Sequence, residues 1–256
     1  MPVPGHPARG LKRAVAPSSG LRTRAVDPAV PPPRLSIIIP CLNEVARLPM
    51  LLNDLAPLRD LGHEIIVVDG GSLDGTLEQA APGADRMLRG TAGRALQMNA
   101  GAAAARGDAL WFLHADTRVS GSVPAAVLAA LRAGHAWGRC GVRLSGDGMV
   151  LRAIAGSMNL RSCLTGIATG DQGIFLTRSA FDAVGGFPGI ALMEDVAISR
   201  ALKRSVGRPA CIRPRLVASS RRWEQRGVWR TVLLMWRLRL AYWLGADPTR
   251  LARRYR

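Results

Sequence analysis

The sequence holds no uninterrupted apolar run approaching the ~18 residues that read as a membrane-spanning helix, so none is expected. No apolar stretch follows Met1, which argues against a secretory signal. Cysteine is scarce: Cys41, Cys140, Cys163 and Cys211 lie far apart with no CxxC unit. That spacing disfavours a zinc site or a disulfide framework and suits buried free thiols in a reducing compartment. There is no GxxxxGK(S/T) loop and no GxGxxG after the first strand. A P-loop kinase and a dinucleotide enzyme are therefore disfavoured. Acid is also scarce, with 18 Asp and Glu against 35 Lys and Arg and a formal net charge of +17. Nucleic acid, an anionic membrane surface or a phosphorylated substrate would each answer such a charge.

The charge is unevenly placed. From Arg221 to Arg256, ten arginines face only Glu224 and Asp247, while the central segment carries most of the acids. A general nucleic-acid coat fits that distribution poorly. Eight of the 17 prolines fall within residues 1–33, so this stretch reads as a disordered basic Pro-rich tail ending at Pro31-Pro32-Pro33. The remainder divides into a catalytic-sized unit over 34–222 and an amphipathic basic segment over 223–256.

Within the central unit, hydrophobic periodicity alternates between strand and helix. Strands are expected at Leu35–Ile39, Glu64–Val68, Asp85–Leu88 and Ala109–Leu113, with helices at Val45–Arg59, Gly93–Arg106 and Val123–Arg132. Alternation of this kind predicts a mostly parallel central sheet in a three-layer α/β sandwich. Less regular elements follow: a strand on either edge of the sheet over Trp137–Leu144, a helix over Met149–Leu160, a short strand over Gly173–Thr177, a glycine-rich loop from Phe181 to Gly189, a helix over Asp195–Ser205, and a strand over Cys211–Ala218. A last helix, Val228–Leu244, carries a stripe of Trp229, Val232, Leu233, Trp236, Leu240, Trp243 and Leu244, with Arg226, Arg230 and Arg237 along one margin and Arg239 near the other. That pattern suits a helix lying in a membrane interface. It also suits packing on the domain or a homodimer seam.

Ligands of open parallel sheets bind at the carboxyl ends of the strands. Three such ends are polar here: Pro40-Cys41-Leu42-Asn43-Glu44, Asp69-Gly70-Gly71-Ser72-Leu73-Asp74-Gly75-Thr76, and His114-Ala115-Asp116. Asp69 follows Ile65-Ile66-Val67-Val68 directly, so its carboxylate stands at a strand tip and can accept hydrogen bonds from a ribose or a base N–H. The glycines let backbone approach a ligand. Asp74 and Thr76 are expected to cap the next helix.

These segments resemble the family 2 glycosyltransferases of the A-type fold, with their P-x-x-N-E loop, V-V-D-x-G-S-x-D-G-T segment and D-x-D-like tripeptide. Gly170-Asp171-Gln172-Gly173, Gly185-Gly186-Phe187 and Glu194-Asp195 extend the likeness, which spans roughly Leu35 to Arg222. The resemblance implies a nucleotide-diphosphate sugar as donor and a divalent Mn²⁺ or Mg²⁺ ion. By the same resemblance, Pro40, Asn43, Glu44, Asp69, Gly71 and Ala115 would surround the donor. Asp116 would ligate the metal, and Asp195, beside Glu194, would be the general base. Arg221-Arg222-Trp223 looks like a reduced Q-x-x-R-W motif without its glutamine. The chain is therefore expected to be non-processive, with Arg222 on phosphate and Trp223 in the acceptor pocket. Arg94 and Gln97 are further candidates for donor contact. Gly170, Asp171 and Gln172 are candidates for a sugar or acceptor floor.

The sequence departs from the family pattern at His114, which stands where the tripeptide usually begins with aspartate. His114 is open to three roles: metal ligand, support behind the ligands, or donor to phosphate. Cys41 has no histidine nearby in sequence and is not expected to be a nucleophile. Two other classes compete, a nucleotidyltransferase acting on a sugar phosphate and a non-catalytic basic binding protein. The first normally carries a basic glycine-rich loop after the first strand, absent here. The second has no use for three polar strand ends. The expected location is the cytoplasm, with the inner face of the cytoplasmic membrane as a site of attachment.

Overall fold

In a computed structural model of the protein, residues 33–255 are described, apart from the side chain of Arg222. The predicted tail thus lies outside the described residues, save Pro33. The elements in chain order are β1 (Leu35–Cys41), α1 (Leu48–Asp60), β2 (Glu64–Asp69), α2 (Thr76–Ala80), β3 (Arg86–Arg89), α3 (Arg94–Ala104), β4 (Ala109–Phe112), α4 (Ser122–Arg132), β5 (Trp137–Leu144), α5 (Met149–Thr165), β6 (Ile174–Thr177), α6 (Arg178–Ala183), α7 (Glu194–Ser205), β7 (Ala210–Ala218), α8 (Arg221–Arg226), α9 (Val228–Trp243) and α10 (Pro248–Tyr255).

All seven strands join one sheet in the order β3-β2-β1-β4-β6-β5-β7. Only β6 runs against the rest, pairing antiparallel with both β4 and β5. The mostly parallel α/β sheet expected from the alternation is present. β1 and β2 are buried along their whole length, which is why they read as continuous Ile/Val runs rather than alternating ones. One apolar layer packs α1 and α4 on one face through Leu48, Leu51, Leu55, Val123 and Val127. The other packs α3, α6 and α7 on the opposite face through Met98, Phe181, Ile198 and Leu202.

β1 pairs with β2 on one side and β4 on the other, so chain order reverses at β1/β4. In open sheets the crevice outside the strand ends at such a reversal is the binding position. Two expectations are corrected. The stretch from Phe181 was read as loop, but α6 runs to Ala183, capped by Thr177 Oγ1, which accepts from the Ala180 N–H. α1 begins at Leu48 rather than Val45, and the Val45 N–H donates across to Asp74 Oδ2 (3.1 Å), tying the turn before the helix to the loop after β2.

Candidate active site

The loops after β1 and β2 are stitched into one surface. The Asn43 N–H donates to Ser72 Oγ (2.8 Å), and Asn43 Oδ1 accepts from the Leu73 N–H (2.9 Å). The Glu44 N–H donates to Thr76 Oγ1 (2.9 Å). Asn43 takes a positive φ of 55°, which asparagine tolerates better than most residues. Asp74 satisfies the start of α2 as expected, its Oδ1 accepting from the Thr76 N–H (3.1 Å), while Thr76 lies inside the helix and links the loops through its hydroxyl. The Asp69 carboxylate is buried at 1% exposure and accepts from the N–H groups of Gly71 (3.0 Å) and Ser72 (3.0 Å) and from the Ser72 hydroxyl. Asp69 therefore shapes the glycine turn. Pro40 is buried in β1, and Ala115 is buried against the first apolar layer.

Gln97 stands behind this surface rather than in it. Its amide nitrogen donates to the carbonyls of Cys41 (2.8 Å) and Val68 (2.8 Å), clamping the tips of β1 and β2 together. The expected donor contact is corrected to a supporting one. Cys41 is buried, and burial together with the Asp69 charge pushes its thiol up to about 12, so it is no nucleophile.

Glu44 and Asp116 stand past the ends of β1 and β4, near enough for the charge of one to act on the other. Burial, then the charge of Asp116, raises the Glu44 carboxyl above its ordinary value, with Arg221 and Arg47 acting against the rise. Arg221 Nη2 lies 3.7 Å from Glu44 Oε1, and Arg47 Nη1 lies 3.5 Å from Glu44 Oε2. The first residue of α8 thus reaches back to the loop after β1. Arg221 joins the candidates of the Arg-Arg-Trp run beside the expected Arg222.

The second half of the site forms around α7. Glu194 and Asp195 occupy its first turn, where the helix dipole favours negative charge. Glu194 is buried and pairs with Arg94 Nη1 at 3.2 Å. Burial, then the neighbouring Asp195 charge, raises its carboxyl. Asp195 is half-exposed; its Oδ2 accepts from the Gly170 N–H (2.9 Å) and its Oδ1 from the Val196 N–H (2.7 Å). The two acids are thus divided, Glu194 holding Arg94 and Asp195 facing the cavity. His114 Nδ1 lies 3.2 Å from Asp171 Oδ1, while its Nε2 is buried with no protein partner. A Cβ on Gly170 would overlap the His114 ring, so glycine is required there. Arg94, Met98, Phe112, His114, Gly170, Ile174, Phe187, Glu194 and Asp195 line a cavity of about 10 Å³ for water centres, room for about one water beside that nitrogen.

Two pocket expectations are corrected. Gln172 is fully buried; its Oε1 accepts from the Thr169 N–H (3.2 Å) and its amide nitrogen donates to Ser162 Oγ (2.9 Å), so it fixes the turn from within. Trp223 packs on a separate apolar cluster of Val142, Leu144, Leu151, Ala155 and Ala218. The Arg222 side chain lies outside the described residues.

No group of three His, Cys, Asp or Glu side chains is placed to hold a metal among the described residues. Magnesium-type ions, however, commonly take one or two carboxylates and complete their shell with substrate phosphate and water. Asp116, half-buried against Glu44, fits that donor set.

Residues 36–185 match the model of glycosyl transferase family 2. The chain belongs to that family. By structure it resembles S. aureus TarS 1-349 (TM-score 0.60, 19% identity, covering 73% of this chain and 60% of that one). It also resembles glucosyl-3-phosphoglycerate synthase from Mycobacterium tuberculosis in complex with Mg²⁺ and uridine diphosphate (TM-score 0.56, 20% identity, covering 73% and 70%). Mannosyl-3-phosphoglycerate synthase from Rubrobacter xylanophilus gives a TM-score of 0.55 at 20% identity, covering 73% and 66%. No curated protein matches by sequence at a significant level. The family 2 chain thus spans about 60% of the TarS fragment, and at these identities the likeness is one of fold.

Proposed function

We propose that the protein is a non-processive, inverting glycosyltransferase that moves a sugar from a nucleotide-diphosphate sugar to an acceptor hydroxyl. Residues 34–222 form the catalytic unit, and the protein works in the cytoplasm in peripheral contact with an anionic membrane surface. The observation that supports the reading is the joining of the β4 tip to the start of α7 at the β1/β4 reversal: His114 Nδ1 lies 3.2 Å from Asp171 Oδ1, and the adjoining Gly170 N–H donates to Asp195 Oδ2 (2.9 Å). A nucleotidyltransferase acting on a sugar phosphate finds no support in this family membership.

Asp195 is the base. Two backbone N–H groups fix its carboxylate, and each oxygen keeps a further lone pair for the acceptor O–H. As the acceptor oxygen bonds to the anomeric carbon, its proton passes to Asp195, the bond from that carbon to the diphosphate oxygen breaks, and nucleoside diphosphate leaves. Arg94, held by Glu194, and Arg221, beside Glu44, bring positive charge toward the diphosphate. Asp69, Asn43, Glu44 and Gly71 shape the surface against which the nucleoside lies. Asp116, with His114 Nε2 as a second candidate ligand, would hold a Mg²⁺ or Mn²⁺ ion, whose chemistry is to neutralise charge building on the departing diphosphate.

The test is a thermal-shift panel of nucleoside diphosphates and their sugars with and without Mn²⁺, followed by turnover of the stabilising donor. A ligand at 100 times its Kd stabilises by about 2.7 kcal/mol. Asp195→Asn should keep that shift and lower kcat by roughly 10²–10⁴-fold. Undiminished turnover in Asp195→Asn would remove the base assignment. A donor shift that ignores Mn²⁺ in wild type would remove the metal.

A further inference from the structure

α9 is apolar on two opposite faces. One face packs inward: Leu238 is buried with Leu192, Met193, Val196 and Leu251, and Leu234, Met235, Ala241 and Tyr242 pack around them. The other face carries Trp229, Leu233, Trp236, Leu240 and Trp243, at helical spacing, and they are 57–74% exposed. Core packing, one of the readings open for this stripe, therefore does not explain it. Isolated exposed apolar residues are ordinary, but a contiguous stripe with three tryptophans marks an interaction surface.

We propose that this stripe docks the protein on an anionic lipid bilayer, with α9 lying in the plane of the interface. Charge complementarity selects that occupant. Arg230 and Arg237 lie along one margin of the stripe and Arg239 along the other. α9 contains no acidic residue, and none of these three arginines makes an ion pair among the described residues. Anionic headgroups would meet the arginines while the tryptophans and leucines enter the acyl boundary, an arrangement that suits indole rings and long cationic side chains. A second copy would face stripe to stripe and bring arginine against arginine with no carboxylate on either helix. Residues 1–32 carry five basic residues against Asp27 alone and would repel the same margins. No helix among the described residues is long and apolar enough to cross a membrane, so the contact is peripheral.

The surface deepens the peripheral contact proposed above and is separable from sugar transfer, because it lies on the face of α9 that turns away from α7. The full chain should co-sediment with phosphatidylcholine vesicles containing about a third phosphatidylglycerol, and far less with phosphatidylcholine alone. Each arginine near an anionic surface is worth about fivefold in affinity, so joint replacement of Arg230, Arg237 and Arg239 by Ser should weaken binding about a hundredfold. Joint replacement of Trp229, Trp236 and Trp243 by Ser should weaken it roughly tenfold or more, with the circular dichroism and melting temperature of the wild type. Brominated lipids should quench wild-type tryptophan fluorescence, a readout that needs no variant. Absence of quenching, equal binding to uncharged vesicles, unchanged binding by the tryptophan variant, or a wild-type dimer that this variant dissociates would each overturn the proposal. Nucleotide-induced stabilisation should be the same in both variants, so failure of membrane docking and failure of the transferase reading are separately visible.

Discussion

Glu44 shows how the site's electrostatics are arranged before any ligand arrives. Its carboxyl is raised by burial and by Asp116 despite two arginines within 4 Å. A raised carboxyl favours the folded state when protonated. That contribution is full below the ordinary value of 4.5 and is lost as pH rises through the raised value. Glu44→Gln removes the titration, so the variant should gain stability relative to wild type as pH climbs through this acid window. Denaturant midpoints at a series of pH values measure the difference. A divalent ion at Asp116 offsets the repulsion, so the gain should shrink in Mn²⁺. A pH-independent difference between the two proteins would show that the Glu44 carboxyl is not raised, and a gain unchanged by Mn²⁺ would show that no ion at Asp116 acts on it.

Among the elements, α3 fits closely against the sheet. Gly101 lies where it crosses β1 and β2, and a Cβ there would press into the Ile38 side chain and stand 3.1 Å from Val68 Cγ2. Gly101→Ala should therefore destabilise by about 1–3 kcal/mol through overpacking, against the gain that alanine normally brings to a helix interior. Urea unfolding checks the sign; a more stable variant would mean that α3 can lift from the sheet without cost. Such elements were largely legible in the sequence. Continuous β-branched runs announced β1 and β2, five leucines at helical spacing announced α1, and Trp137–Leu144 formed a strand with the bounds expected, but between β6 and β7 rather than on an edge of the sheet. Polar side chains at the strand tips were legible as a cluster, but not in their division of labour. Asn43, Gln97 and Gln172 have the chemistry of ligand contacts and serve mainly as struts, because their partners are groups of the chain itself: for Asn43 and Gln97 on segments distant in sequence, for Gln172 in its own turn and on α5. α6 and the use of Arg221 depend on such tertiary placement too, and periodicity carries no information about it.

At the scale of the whole molecule, the C-terminal segment packs its inner face on the start of α7 and leaves its outer stripe exposed. The inner face of α9 and Leu251 of α10 pack on Leu192, Met193 and Val196, the residues flanking Glu194 and Asp195 at the start of α7. Met193 holds a positive φ of 70° there, a backbone state that costs energy in a non-glycine residue and persists only when its surroundings enforce it. The apolar cluster beneath α9 supplies that enforcement. Leu238→Ala, at a side chain only 3% exposed, should lower stability by about 2–5 kcal/mol. It should also loosen the first turn of α7 more than the sheet, since β1 and β2 rest in separate apolar layers. Native-state hydrogen exchange distinguishes the two effects. Faster exchange at Val196 and Ala197 with unchanged protection in β1 and β2 is the expected pattern, accompanied by a fall in kcat greater than any change in donor affinity. Uniform loss of protection across the chain would instead mean that the C-terminal helices stabilise the molecule globally and have no particular hold on Asp195.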